Sequence, residues 1–131
     1  MAVNDDRAQA LIEFALVLPV LLVLAFAITE LSELGVARLA LEHAAAEGAR
    51  AVALTNDDRL GRASVAAAAT PLDARDVDVV IEPPEPQRGS EPRGTLVFVK
   101  LRYAIAAPLS FIGLPPLVVR GEAARLIEWT P

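Results

Sequence analysis

The feature that most constrains this chain is a long apolar stretch at residues 10–28, which reads ALIEFALVLPVLLVLAFAI and contains one charged side chain, Glu13. An α-helix rises about 1.5 Å per residue, so this stretch makes a helix of about 30 Å, the thickness of a bilayer hydrocarbon core. We therefore predict a membrane-spanning helix over residues 9–30. A carboxylate in lipid costs about 2.5 to 3.5 kcal/mol at mid-bilayer, which makes Glu13 a candidate functional residue.

Composition and charge narrow the classes of protein to which this chain can belong. Its 131 residues are 54% hydrophobic, its net charge is −5 and it has no cysteine. About a hundred residues follow the apolar stretch, which is enough for one small domain. Because the 12 basic residues are scattered along the chain, a nucleic-acid partner is not expected. The absence of cysteine excludes disulfide bonds and thiolate zinc sites.

The helix is predicted to continue beyond the apolar stretch. No helix-stopping signal follows Thr29, and strong helix formers persist to about Leu54. We predict one long helix whose lower half spans the membrane and whose upper half is amphipathic. In the upper half, Ala40, Ala44 and Gly48 place a small residue at every fourth position, which lets another helix pack closely. That helix is either the chain's own next helix or one from another molecule.

The remaining sequence predicts one short helix and three strands. A polar break at residues 55–58 precedes an Ala-rich helix that ends before Pro71. Apolar and polar residues then alternate in three segments that begin near Arg75, Thr95 and Leu117, as in half-buried strands. In the third segment Leu117, Val119, Ala123 and Ile127 are in phase. The predicted fold class is α+β, with a small three-stranded antiparallel sheet packed on the upper half of the long helix.

Two segments between the strands are rich in proline and are predicted to be loops. Residues 82–94 read EPPEPQRGSEPRG, which favours a mobile loop or hairpin tip over a packed element. Residues 108–116 read PLSFIGLPP, an apolar run broken by proline and glycine. We predict that this second loop lies on the sheet or on the membrane surface.

No pattern typical of a catalytic, cofactor or metal site occurs in the sequence. The single histidine, His43, stands on an amphipathic helix, where a solvated side chain is its expected state. Glu30 and Glu33 share a helix face but lack further ligands. No glycine-rich phosphate loop follows a strand. The protein is therefore not expected to be an enzyme, nor to bind a metal or a cofactor.

Two segments of the sequence resemble one known protein family. Residues 7–19 read RAQALIEFALVLP, in which small or apolar residues precede Glu-Phe and an apolar helix that contains proline. Residues 39–51 read LALEHAAAEGARA, an Ala-rich segment that ends in Glu-Gly-Ala-Arg. Both segments resemble the TadE-like family of tight-adherence, or Flp-type, pilus assembly proteins, and together they cover the chain from residue 7 to about residue 54.

The resemblance implies a function and a set of site residues. Members of the family are pseudopilins or minor pilins, which have structural and assembly roles in a pilus. The resemblance implies that residues 1–8 are a leader, which is removed by cleavage between Ala8 and Gln9. In the family, the residue at the position of Ala8 is usually Gly. Glu13 and Phe14 would then direct subunit docking. Glu13 lies close enough to the helix start to pair with the new amine of Gln9 on a neighbouring subunit.

The resemblance also implies partners and a location. The implied partners are other pilus subunits and pseudopilins, a prepilin peptidase, an inner-membrane assembly platform and membrane lipid. The protein would cross the cytoplasmic (inner) membrane once with its N-terminus in the cytoplasm, an orientation that the basic residue Arg7 weakly favours. Residues 31–131 would form an exported pilin-like domain, which either enters the pilus or stays at its base.

Two other functions remain open from the residues alone. The chain has the anchor expected of a generic bitopic membrane protein with an exported interaction domain. Residues 25–27, Ala-Phe-Ala, also fit a signal-peptidase site, which would release a secreted domain beginning at Ile28. The position of Glu13 and the continuation of the helix past Ala27 argue against this second alternative.

Overall fold

The computed structural model describes residues 2–106, 113 and 115–131, with side chains from residue 7 onward. The described elements are α1 (Ala2–Thr55), α2 (Asp58–Ala68), β1 (Val77–Glu82), β2 (Leu96–Ile105) and β3 (Leu117–Leu126), with 3-10 turns at Ala74–Asp76 and Glu85–Gln87. The sheet is antiparallel throughout. The predicted α+β class is confirmed, with its long N-terminal helix, short second helix and three-stranded sheet.

The chain divides into two compact units, Met1–Glu33 and Leu34–Pro131. The second unit contains the sheet, whose strands follow the order β1-β2-β3. Its central strand contributes Val97, Val99 and Leu101, each at most 1% exposed. These residues form one core cluster with a face of α1 that consists of Leu41, Ala44, Ala45, Ala49 and Val52. Small alanines on that face let the sheet approach the helix closely, and burying this apolar surface is the main stabilising contribution.

The third strand packs on α1 at a glycine. A Cβ built on Gly121 would stand only 2.7 Å from the backbone carbonyl carbon of Leu41, so β3 crosses the helix backbone there. Ile127 is buried, and Val119 packs against the core. Leu117 lies on the same face as Val119 and Ala123, as predicted, but is 44% exposed. It lies at the end of the strand, four residues from the crossing, and pairs with the last residue of β2.

The two helices of the second unit meet at a pair of glycines. A Cβ on Gly48 would overlap Cγ2 of Val65 and stand 3.4 Å from the carbonyl oxygen of Gly61. A Cβ on Gly61 would in turn overlap Cγ2 of Val52. Val65 and Val52 are both buried, so neither can easily move aside. The close approach of α1 and α2 therefore requires glycine at both positions.

We expect alanine to have opposite effects at two glycines of α1. Gly35 has no atom within 4 Å of a built Cβ, so Gly35→Ala should raise the free energy of unfolding by about 0.5 to 1 kcal/mol through helix propensity. Gly48→Ala should lower it by about 1 to 3 kcal/mol, because the methyl group overpacks the contact with Val65. Urea unfolding of the full chain in detergent, followed by fluorescence of Trp129, measures both. Stabilisation at both positions would show that the helix contact is not tight.

The proline-rich segment at residues 82–94 joins the paired strands β1 and β2, as predicted for a hairpin tip, but Arg88 and Pro92 within it are buried, which corrects the prediction that nothing in it packs. The Arg88 side chain is fully buried and donates hydrogen bonds to the Pro83 carbonyl oxygen (2.9 Å), to Asn56 Oδ1 (3.0 Å) and to the Asp58 carboxylate. Asp58 and Glu85 also exchange backbone-to-carboxylate hydrogen bonds of 3.0 and 3.3 Å. The acceptors of the Arg88 hydrogen bonds on Asn56 and Asp58 lie about thirty residues earlier in the chain. The proline content of residues 82–94 therefore could not predict these contacts. The second predicted loop, residues 108–116, falls largely outside the described residues.

Candidate functional site

The first unit presents an apolar helical surface. Every large apolar side chain from Leu11 to Ile28 is between 38% and 71% exposed. Burial of such a surface is strongly favourable, so it requires an apolar environment. By length and composition, the helix Arg7–Thr55 can cross a membrane. No other helix in the described part of the chain is long and apolar enough to do so. An apolar helix at this position suits a membrane anchor.

Glu13 lies within this apolar surface and forms a hydrogen bond to Gln9. Nε2 of Gln9 donates to Oε1 of Glu13 at 3.0 Å, one helical turn away. Within residues 7–106, 113 and 115–131, no basic group lies within 4.0 Å of the carboxylate. A single amide donor leaves the other carboxylate oxygen without a bond in this structure. Glu13 can therefore accept a hydrogen bond or a cation from a second molecule.

The remaining predicted residues of the first unit are placed around Glu13. Ala8 and Gln9 are both helical and exposed, so the bond between them lies within α1. Phe14 is 60% exposed. It follows Glu13 directly in the helix, so the two side chains point in directions about 100° apart. The Gln9 partner of Glu13 was missed from the sequence, although the spacing of four residues is the signal for such a pair.

The small residues of the upper helix are buried within the second unit. Ala44 is fully buried and belongs to the core cluster, and Ala40 is 8% exposed. Gly48 faces Gly61 and Val65 of α2 and also lies near Val99 of β2. At Gly48, therefore, the helix that packs closely in this structure is the chain's own second helix.

The titratable residues considered for chemistry are dispersed. His43 is exposed and lies beside a shallow groove with Val36 and Leu39. Glu33 is exposed, and Glu30 is partly exposed. Among the described residues, no three His, Asp or Glu side chains are grouped so that they could hold a metal ion. The arrangement in the first unit can therefore form intermolecular contacts, and the described side chains show no converging catalytic group.

Comparison with known proteins finds a family similarity in the N-terminal part of the chain. No curated protein and no solved structure matches the sequence. A family model described as TadE-like protein matches residues 8–50. The match includes Glu13 and the Glu-Gly-Ala-Arg segment at residues 47–50, so it covers the motifs on which the resemblance rests. The resemblance is thereby confirmed: residues 8–50, about a third of the chain, are similar to the TadE-like family, which is associated with tight-adherence pili.

Proposed function

We propose that this chain is a minor pilin or pseudopilin that takes part in assembly of a tight-adherence pilus. Residues 1–8 are the leader, residues 9–30 cross the cytoplasmic membrane, and residues 31–131 form the exported domain. The observation that carries the proposal is the family match at residues 8–50, which contains an exposed apolar helix with one carboxylate. The role is structural, since the family is structural and no catalytic group is required for it.

The carboxylate gives the apolar helix a preferred neighbour. Hydrophobicity alone does not distinguish a neighbouring helix from lipid, because both are apolar. Glu13 changes this balance, since its unpaired oxygen is costly in lipid and is satisfied by a donor on another subunit. Cleavage after Ala8 would create such a donor, the α-amine of Gln9. We also assign Phe14 to subunit docking, because it is exposed and lies within the matched residues 8–50.

The second unit supports the assignment of an exported subunit domain. Ala44 and Gly48 are used in its own core, so the upper half of α1 serves as the scaffold for the sheet. Subunit docking through the helix then falls to the exposed apolar residues of the first unit, before residue 34. The partners of this surface are other pilus subunits and pseudopilins, the assembly platform and membrane lipid.

The mass of the chain after extraction from its host membrane tests the proposal. We expect the loss of residues 1–8, because a prepilin peptidase cuts between Ala8 and Gln9. Loss of residues 1–27 would instead indicate a secreted domain released by signal peptidase, and an intact chain would indicate a generic bitopic protein.

A pair of glycine variants makes this test specific to the proposed bond. Ala8→Gly restores the usual residue of the family and should give at least as much processed chain as the wild type. Ala10→Gly makes the same change two residues away and should leave the cleavage position unchanged. An intact mass for both the wild type and Ala8→Gly would contradict the pseudopilin assignment.

A further inference from the structure

The second unit contains a basic groove that the proposed function does not use. It has a volume of about 490 Å³ and is lined by side chains from α1, β2 and β3. Four of them are basic, Arg38, Lys100, Arg102 and Arg120, and two are acidic, Glu42 and Glu122. The groove therefore has an excess of positive charge, although the chain as a whole has a net charge of −5.

Two of the four basic residues are unpaired and face each other. Arg102 and Arg120 are directly opposite in the register of β2 and β3, and like charges at such positions destabilise a sheet. In the described part of the chain, neither guanidinium has a carboxylate oxygen within 4.0 Å. Residues 107–112 and 114 contain no Asp or Glu. An anion from outside the chain would relieve this repulsion.

The other two basic residues already have partners. Arg38 forms an ion pair with Glu42 at 3.0 Å, and Lys100 forms one with Glu82 at 2.5 Å. The hydrogen bond that Lys100 donates to the Glu82 carboxylate raises the pKa of Lys100 above its ordinary value of 10.5, so this ammonium group stays charged at neutral pH. The charge that remains available for a ligand is that of Arg102 and Arg120.

A second, apolar groove shares its border with the basic one. It has a volume of about 430 Å³ and is lined by Leu34, Val118 and Val119, together with Arg38 and Arg120. Val118 is 47% exposed. Arg38 and Arg120, which line both grooves, thus lie between a cationic surface and an apolar one. An amphipathic anion requires this arrangement.

We propose that these two grooves bind one anionic phospholipid. Its phosphate is held between the guanidinium groups of Arg102 and Arg120, whose planar forks suit phosphate oxygens. The first part of an acyl chain covers Val118 and Leu34. Arg38 follows the apolar stretch by ten residues in the sequence, so lipid headgroups lie close to it when residues 9–30 cross the membrane, and this step rests on the membrane anchoring in the proposed function.

Lipid binding to the full chain in detergent tests the proposal. Native mass spectrometry would compare the binding of phosphatidylglycerol with that of phosphatidylcholine. Lipids that surround the apolar helix bind to every variant alike, so they do not affect the comparison between variants. The wild type should prefer phosphatidylglycerol by about tenfold: both lipids carry the phosphate, but the choline cation of phosphatidylcholine is repelled by the two guanidinium groups. Arg102→Gln/Arg120→Gln should lose the preference. Arg50→Gln/Arg93→Gln, which removes two exposed charges elsewhere, should keep it.

Further measurements distinguish binding of a phospholipid from binding of free phosphate. Val118→Ser should weaken phosphatidylglycerol binding, and inorganic phosphate should compete poorly. Full displacement by equimolar phosphate, or no effect of Val118→Ser, would overturn the phospholipid assignment. Equal binding of the two lipids by the wild type, or equal losses in the two double variants, would overturn the site. The same spectra give the mass of the chain, so failed leader cleavage is recognised separately from failed lipid binding.

Discussion

Glu13→Leu is expected to leave membrane insertion and abundance intact while abolishing co-purification of the chain with other pilus subunits. The substitution removes a carboxylate that is costly in lipid, so the anchor itself should be unharmed or slightly improved. It also removes the one charged group of the apolar stretch and the hydrogen bond from Gln9. Without it, a neighbouring helix has no advantage over lipid.

Graded variants identify what the carboxylate supplies. Glu13→Gln keeps a side chain that can hydrogen-bond with Gln9 but loses the charge, and Glu13→Asp keeps the charge but shortens the reach. We expect assembly to be intermediate for Glu13→Asp and close to that of Glu13→Leu for Glu13→Gln, because the docking partner that we propose is a cation, the α-amine of Gln9.

A matched control uses another exposed carboxylate of the first unit, Glu33. Glu33→Leu makes the same chemical change outside the apolar stretch and should assemble normally. Pull-down of an affinity-tagged chain, with membrane abundance measured by immunoblot, compares the variants. Normal assembly of Glu13→Leu would show that the carboxylate is incidental, even if the anchor is correct.

Val99→Asp is expected to unfold the second unit. Val99 is fully buried in the central strand, opposite Ile81 and Ala123 and close to Gly48 of α1. A carboxylate there has no charged partner, so we expect a loss of about 4 kcal/mol or more, a large fraction of the stability of a small domain.

Val80→Asp is the matched control, because it makes the same change on the opposite face of the sheet. Val80 is 44% exposed and pairs with Lys100 across the strands, so an aspartate there faces a cation. Its effect should stay within about 0.5 kcal/mol. Thermal unfolding followed by the single tryptophan, Trp129, which packs against the core, distinguishes the two variants. Similar losses at the two positions would contradict the observed register.

Several features of the fold follow from the sequence because their causes are local. The apolar stretch needs only its own length to indicate a membrane helix, and the period of two at Val97, Val99 and Leu101 is enough to predict a strand with one buried face. Glu13 was found as a candidate in the same way, as one charge in an apolar run. The fold class, including its long helix, was therefore predictable.

Only the tertiary structure decided which distant residues meet. The ion pair between buried Arg88 and partly buried Asp58 joins positions thirty residues apart, and the meeting of Gly48 with Gly61 depends on how two helices cross. The opposition of Arg102 and Arg120 depends on the register of β2 and β3, which a shift of one residue would abolish. Periodicity assigns a residue to a face, but its partner on another element is set by packing of the whole core.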